Sequence, residues 1–271
     1  MTEITSKNNQ VYKLFKKLQT KKYRDKTGLY LIEGGNLLNE AISEGNAVIE
    51  TVVCRRDCAP SMENITEKTG CRMFVADGAL FKDLTQTENS QGVVAAVKKP
   101  EFSTEEMIEN GIDGGNFVIL DRLQDPGNIG TIIRTADAAG YDLVIAMKGT
   151  ADIFSPKTVR AAAGSLFRVP VVFVDTEEEL MRFIKAAGKK LAAASPVGSR
   201  YYYEEDLSRN VALIVGNEGN GVSETLMKKA ELKIKIPMRG TIESLNASVA
   251  ASIIMYEAVR IKGNESGKTG N

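Results

Sequence analysis

With 271 residues, 43% of them hydrophobic and 35 basic side chains balanced by 35 acidic ones, the chain has the length for one large or two ordinary soluble domains. There is no run of about 18 uncharged apolar residues and no signal-peptide core, so no membrane span is expected and the cytoplasm is the expected location. The absence of histidine excludes a Ser-His-Asp triad, a Cys-His pair, a histidine base and any histidine metal site.

Residues 9–22 set Val11, Leu14, Phe15 and Leu18 on one face, which predicts an amphipathic helix whose other face is mostly lysine. Within residues 1–30, Lys7, Lys13, Lys16, Lys17, Lys21, Lys22, Arg24 and Lys26 face only Glu3 and Asp25, with Tyr12, Phe15, Tyr23 and Tyr30 interleaved. Such a segment suits a phosphate backbone with unstacked bases, and makes Lys13, Lys16, Lys17, Lys21, Lys22 and Arg24 the candidate nucleic-acid contacts. A solvated helix face above core aromatics accounts for it equally well. Strands at 28–32, 47–54, 73–76 and 92–97 then alternate with helical segments at 36–44, 62–69 and 80–84, which makes a compact α/β domain. Cys54, Cys58 and Cys71 are odd in number and lack a Cys-x-x-Cys pair, so neither a disulfide framework nor a zinc site is expected.

Residues 99–116, with little apolar content and Gly111, Gly114 and Gly115, are the linker candidate. From Phe117 the alternation restarts. Strands are predicted at 117–120, 143–146, 169–174, 191–194, 211–215 and 232–236. Helices are predicted at 128–139, 156–163 and 177–187, with a long one of small and branched residues at 247–259. Short apolar runs that each feed a helix read as buried strands of a doubly wound parallel sheet, whose ligands sit where the carboxyl ends of the strands open into loops. Residues 265–271 are expected to form a disordered tail.

Three loops follow such strands: 120–128, 216–221 and 237–246. In the first, Asn128 stands where it can cap a helix, and Arg134 lies off the apolar face of Ile129, Ile132, Ile133 and Ala136, near Asp137. In the second, Glu218 stands between glycines, where it can accept amides from a neighbouring loop or face a ligand. In the third, Ser244 and Asn246 precede the final helix. Neither Gly216-Asn-Glu-Gly-Asn-Gly221 nor the stretch at 263–269 satisfies a nucleotide motif. The first has the wrong glycine order and the second has no strand before it.

Asp-Pro-Gly-Asn-Ile-Gly-Thr-Ile-Ile-Arg-Thr-Ala at 125–136, Val-Gly-Asn-Glu-Gly-Asn-Gly at 215–221 and Ile-Pro-Met-Arg-Gly-Thr-Ile-Glu-Ser-Leu-Asn-Ala-Ser-Val-Ala at 236–250 together resemble the three motifs of the SpoU (TrmH) family of RNA ribose 2′-O-methyltransferases, within the SPOUT superfamily. The segment at 155–164 is similar to the family's intermediate stretch, and residues 8–97 are similar to its amino-terminal substrate-binding domain, which is related to the L30e fold. The resemblance implies an L30e-like domain at 1–98 and a trefoil-knotted α/β methyltransferase domain at 117–264. It also implies a homodimer, S-adenosylmethionine as donor and ribosomal RNA as substrate. A transfer RNA substrate, or a non-catalytic assembly factor that uses the knotted domain to dimerise, are the alternatives.

The resemblance further makes Arg134 the catalytic arginine, serving the partner subunit's site. Asn128 would hold the arginine or the ribose, Glu218 would organise the loops, and Ser244 and Asn246 would line the transfer site. The donor would lie at Gly216, Asn217, Gly219, Ile236, Pro237, Met238 and Leu245, with the helix at 247–259 in the dimer interface.

Overall fold

A computed structural model describes residues 2–87, 90–109, 111 and 115–268. In chain order its elements are β1 (Thr2–Ile4), α1 (Gln10–Leu18), α2 (Lys21–Thr27), β2 (Leu29–Glu33), α3 (Gly35–Glu44), β3 (Ile49–Arg55), α4 (Glu63–Thr69), β4 (Arg72–Ala76), α5 (Gly78–Leu84) and β5 (Val93–Lys98). They continue with α6 (Thr104–Glu109), β6 (Phe117–Asp121), α7 (Pro126–Ala138), β7 (Leu143–Met147), α8 (Pro156–Ala162), β8 (Val171–Val174), α9 (Glu177–Ala186) and β9 (Lys190–Ala194). The last are β10 (Arg200–Tyr201), β11 (Val211–Gly216), α10 (Glu224–Lys229), β12 (Leu232–Lys235) and α11 (Ala247–Lys268). Contacts group residues 2–100 with Asp152–Arg168 in one unit, and Glu101–Ala151 with the chain from Val169 onward in another.

In the first unit the strands run β1-β4-β3-β5-β2, with β1, β4 and β3 parallel and β5 antiparallel to both neighbours. The Asn9 side chain accepts from the Val11 and Tyr12 amides and so starts α1, whose buried face is Val11, Tyr12, Phe15 and Leu18. Thr20 is extended, so the helix expected across 9–22 is two helices, the second ended by Gly28 in a left-handed conformation.

Two sequence expectations are corrected here. Tyr12, Phe15 and Tyr30 are buried in the core, which removes them from any base-stacking surface. Arg24 is only 4% exposed: its Nε donates to Asp152 Oδ2 at 3.0 Å and its Nη1 to the Leu18 carbonyl at 2.8 Å. A guanidinium held this way is not available to a phosphate. Lys13, Lys16, Lys17, Lys21 and Lys22 are exposed.

Asp152 belongs to the stretch that the sequence boundaries place in the second domain but that packs with the first. Its Oδ1 accepts from the Phe154 amide at 2.9 Å, Ser155 caps α8, and the Phe154 ring lies 4.9 Å from that of Tyr30. Arg168 donates to Glu40 at 2.6 Å and to Glu44 at 3.1 Å.

The second unit is built on a parallel sheet in the order β10-β12-β9-β11-β6-β7-β8. Its central strands β6, β7 and β11 are uninterrupted apolar runs because helices cover both faces. Asn116 is buried just before β6; its amide donates to the Leu207 carbonyl and accepts from the Val211 amide, tying the starts of β6 and β11 together. α11 packs on α7, where Thr135 Oγ1 and Ser252 Oγ are 3.0 Å apart. The stretch expected as a linker contains α6, and α11 continues through the first four residues of the expected tail; residues 269–271 lie outside the described residues. No helix among the described residues is long and apolar enough to cross a membrane.

Candidate active site

The carboxyl ends of β6, β11 and β12 open on the same side of the sheet because the strands are parallel. There the loops after β11 and β12 and the start of α11 enclose a cavity of about 560 Å³. Gly216, Asn217, Glu218 and Gly219 line one wall, Ile236, Met238, Ser244, Leu245 and Asn246 another, and Ala250 and Ile254 of α11 close it. Pro237 is exposed and does not line the cavity.

The β11 loop folds back on itself. The Gly221 amide donates to the Asn217 carbonyl at 2.8 Å, and Asn217 Oδ1 accepts from the amides of Gly219 and Asn220, both at 3.0 Å. The fold-back needs a bare backbone at its entry, since a Cβ on Gly216 would lie 2.1 Å from the Val222 nitrogen and 2.2 Å from the Gly221 carbonyl carbon. Asn217 therefore shapes the loop as well as facing the cavity.

Glu218 joins this loop to the α7 loop. Its Oε2 accepts from the Gln124 amide at 3.0 Å; its Oε1 accepts from the Asp125 amide at 3.0 Å and from Asn128 Nδ2 at 3.1 Å. Partial burial pushes the carboxyl up, but these N–H donors outweigh it and hold Glu218 below the usual carboxylate range. The other end of the Asn128 amide faces the β12 loop: its Oδ1 accepts from Asn246 Nδ2 at 2.9 Å and from Ser248 Oγ at 3.3 Å. Asn246 Oδ1 in turn accepts from the Ser248 amide at 2.9 Å, the start of α11. Glu218, Asn128 and Asn246, read separately in the sequence, thus form one chain of hydrogen bonds across three loops.

Arg134 is not part of that chain. It is exposed on α7, six residues beyond Asn128 and so about 9 Å further along the helix axis, and it does not line the cavity. Asp125 caps α7 through Gly127 and Asn128, and Asp followed by Pro at N1 is the helix-start signal by which the sequence marks it. Ser248, which donates to Asn128, carries no sequence signal beyond being one of several small residues. Nothing in the sequence marks the Gln124 amide, because any residue supplies a backbone N–H.

The cavity fits S-adenosylmethionine on the structure's own terms. Its volume falls within the roughly 300–1,000 Å³ of small-molecule sites. Ile236, Met238, Leu245 and Ile254 offer an apolar bed for a purine, and bare loop backbone offers donors and acceptors to its edge. Glu218 and Glu243 are the charged residues among its described lining, and neither lysine nor arginine is present to repel a sulfonium cation.

The family model for SpoU rRNA methylases matches residues 115–256, and a model of an MRM3-like substrate-binding domain matches residues 8–95. The chain is 40% identical to the 23S rRNA (guanosine(2553)-2′-O)-methyltransferase RlmP of Bacillus subtilis, over 94% of this chain and 98% of that protein. It is 30% identical to the 23S rRNA (uridine(2479)-2′-O)-methyltransferase of Streptomyces viridochromogenes, over 95% of this chain and 91% of that one. Among solved structures, the AdoMet-bound rRNA methyltransferase of Sinorhizobium meliloti superposes with a TM-score of 0.86 at 34% identity, covering 96% of this chain and 97% of that one. With a family model matched across the whole of the cavity and both of the loops that meet it, the chain belongs to the SpoU rRNA methylase family.

Proposed function

We propose that this protein transfers the methyl group of S-adenosylmethionine to a ribose 2′-hydroxyl of ribosomal RNA. The observation that carries the reading is the Glu218–Asn128–Asn246 chain, which ties the first of the family's motif loops to the two that line a cavity of cofactor size. Ribosomal rather than transfer RNA is favoured by the relatives that are named as 23S rRNA enzymes along nearly their whole length.

S-adenosylmethionine, when bound, supplies a methyl group already activated by its sulfonium. The chain's own task is alignment, which in well-oriented systems contributes about 7–11 kcal/mol. Asn128 and Asn246 fix the rim over which the ribose passes, and Ser244 and Leu245 form the wall beside it. Arg134 holds the phosphate next to the target ribose. A guanidinium with a pKa above about 12 is a poor proton acceptor, so binding an anion is the role its chemistry favours.

Because Arg134 stands away from the cavity of its own chain, we read the protein as a homodimer in which it serves the partner's site. Val249 and Tyr256, each about half exposed on α11 (47% and 49%), support that interface. We read the second unit as the trefoil-knotted fold of the family. The first, matched by a substrate-binding model, is read as the L30e-like RNA-binding domain, presenting Lys13, Lys16, Lys17, Lys21 and Lys22 to RNA in the cytoplasm. Methyl transfer from labelled donor to unmodified ribosomal RNA tests the proposal.

A further inference from the structure

Asp121, at the carboxyl end of β6, is buried; its Oδ2 accepts from the Ser223 amide at 2.7 Å and its Oδ1 from Arg122 Nε at 2.9 Å. The backbone of Arg122 has φ of +57°, a left-handed conformation that glycine or asparagine adopts more readily than a long side chain. The turn has a purpose, for it delivers the Gln124 and Asp125 amides to Glu218. That purpose explains the backbone and leaves the arginine unexplained.

Arg122 is held at its backbone, its stem and its Nε. Its carbonyl accepts from Asn217 Nδ2 at 2.9 Å and from Gln124 Nε2 at 3.0 Å. Its stem lies over Gly149, where a Cβ would come within 3.1 Å of Arg122 Cγ. Its Nε is held by Asp121, yet 47% of the side chain is exposed and its Nη groups donate to no described residue. A pre-positioned fork of N–H donors therefore stands just past the carboxyl end of β6, the end of the sheet at which the cavity lies. Neutralising Asp121 uses only one donor of the five that a guanidinium carries.

We infer that Arg122 is a substrate-contact residue whose free Nη pair binds a phosphate of the RNA, a planar fork matching two phosphate oxygens. Backbone strain retained at a functional rim supports this, since Gly or Asn would satisfy the turn alone. The inference rests on the ribosomal RNA reading above.

The test compares the full-length protein with Arg122→Gln, which keeps an N–H for Asp121 without the charge, and Arg122→Lys, which keeps the charge without the fork. Binding to an unmodified 23S ribosomal RNA transcript is measured across a salt series, alongside S-adenosylmethionine binding. Arg122→Gln is expected to weaken RNA binding about ten-fold and to lower the salt slope by roughly 0.7–0.9, one phosphate contact, with donor affinity within about two-fold of wild type. Arg122→Lys is expected to retain the slope. Wild-type RNA affinity and slope in Arg122→Gln, or an equal loss of donor binding, would overturn the inference. No binding of the transcript by the wild-type protein would overturn the ribosomal RNA reading itself, a result visible before any variant is compared.

Discussion

Glu218 and Asn128 are 90 residues apart in the sequence and joined by a hydrogen bond of 3.1 Å, with the far side of the same asparagine amide held by Asn246 at 2.9 Å. Each end of Asn128 thus meets a different loop, and the amide has the polarity to do both: its NH₂ donates to a carboxylate and its oxygen accepts from a second amide. A carboxylate at 218 is needed because three N–H groups converge on it.

Glu218→Gln replaces one of those two acceptor oxygens by an NH₂ that faces N–H donors. We expect donor affinity to fall about 10- to 100-fold at neutral pH, measured by calorimetry. The donors keep the folded carboxyl below its unfolded value of about 4.3, so its contribution is fully present above that pH and is lost as pH falls through the lowered folded value. Wild-type donor affinity should therefore stay level from about pH 8 down to about 4.3 and decline only below that, as the folded carboxyl protonates, while the Gln variant should lack the Glu218 share of the decline.

Gly216→Ala tests the fold-back of the β11 loop. A methyl group there would collide with the backbone of Gly221 and Val222, which cannot rotate away as a side chain could. The expected result is loss of measurable donor binding. Retained binding would show that the loop opens without damage to the site.

Arg134 separates two roles. Arg134→Ala should abolish methyl transfer, by at least about 100-fold in kcat, with donor affinity unchanged, because the residue does not line the cavity. Arg134→Lys keeps a cation for a phosphate but loses the fork, and should retain partial activity if anion holding is the role. On the proposed homodimer, mixing Arg134→Ala chains with chains inactivated at Gly216 should restore activity, since one site then has both an intact cavity and an intact arginine.

Arg24 gives a prediction about stability. Removing one partner of a buried ion pair leaves the other uncompensated, at a cost of about 3–5 kcal/mol. Urea unfolding of Arg24→Ala should show that loss, whereas Lys22→Ala should leave stability unchanged and weaken RNA binding. The same pair makes residues 2–100 a poor unit to delete, because α8 and Phe154 pack against β2 and Tyr30.

What the sequence made legible followed from periodicity and from motifs. β6, β7 and β11 are unbroken apolar runs, and α7 buries the Ile129, Ile132, Ile133 and Ala136 face that its spacing announces. β10 escaped because two residues, Arg200 and Tyr201, carry no period, and their strand character comes wholly from pairing with β12. Arg24 looked like its lysine neighbours because Asp152, the residue that buries it, lies 128 positions away. Within the site, Glu218, Asn128 and Asn246 stand out from their motifs, and the structure joins them by hydrogen bonds. The partners that hold them, such as the Gln124 amide and Ser248, belong to the fold and became visible only with it.

The most direct measurement is transfer of a labelled methyl group from S-adenosylmethionine to an unmodified 23S ribosomal RNA transcript, followed by alkaline hydrolysis. Alkali cleaves RNA through the free 2′-hydroxyl, so a ribose methylated at that oxygen survives within a dinucleotide. The structure predicts label in alkali-resistant dinucleotides, absent with Arg134→Ala. Label recovered in mononucleotides, or no incorporation by the wild-type protein, would contradict it.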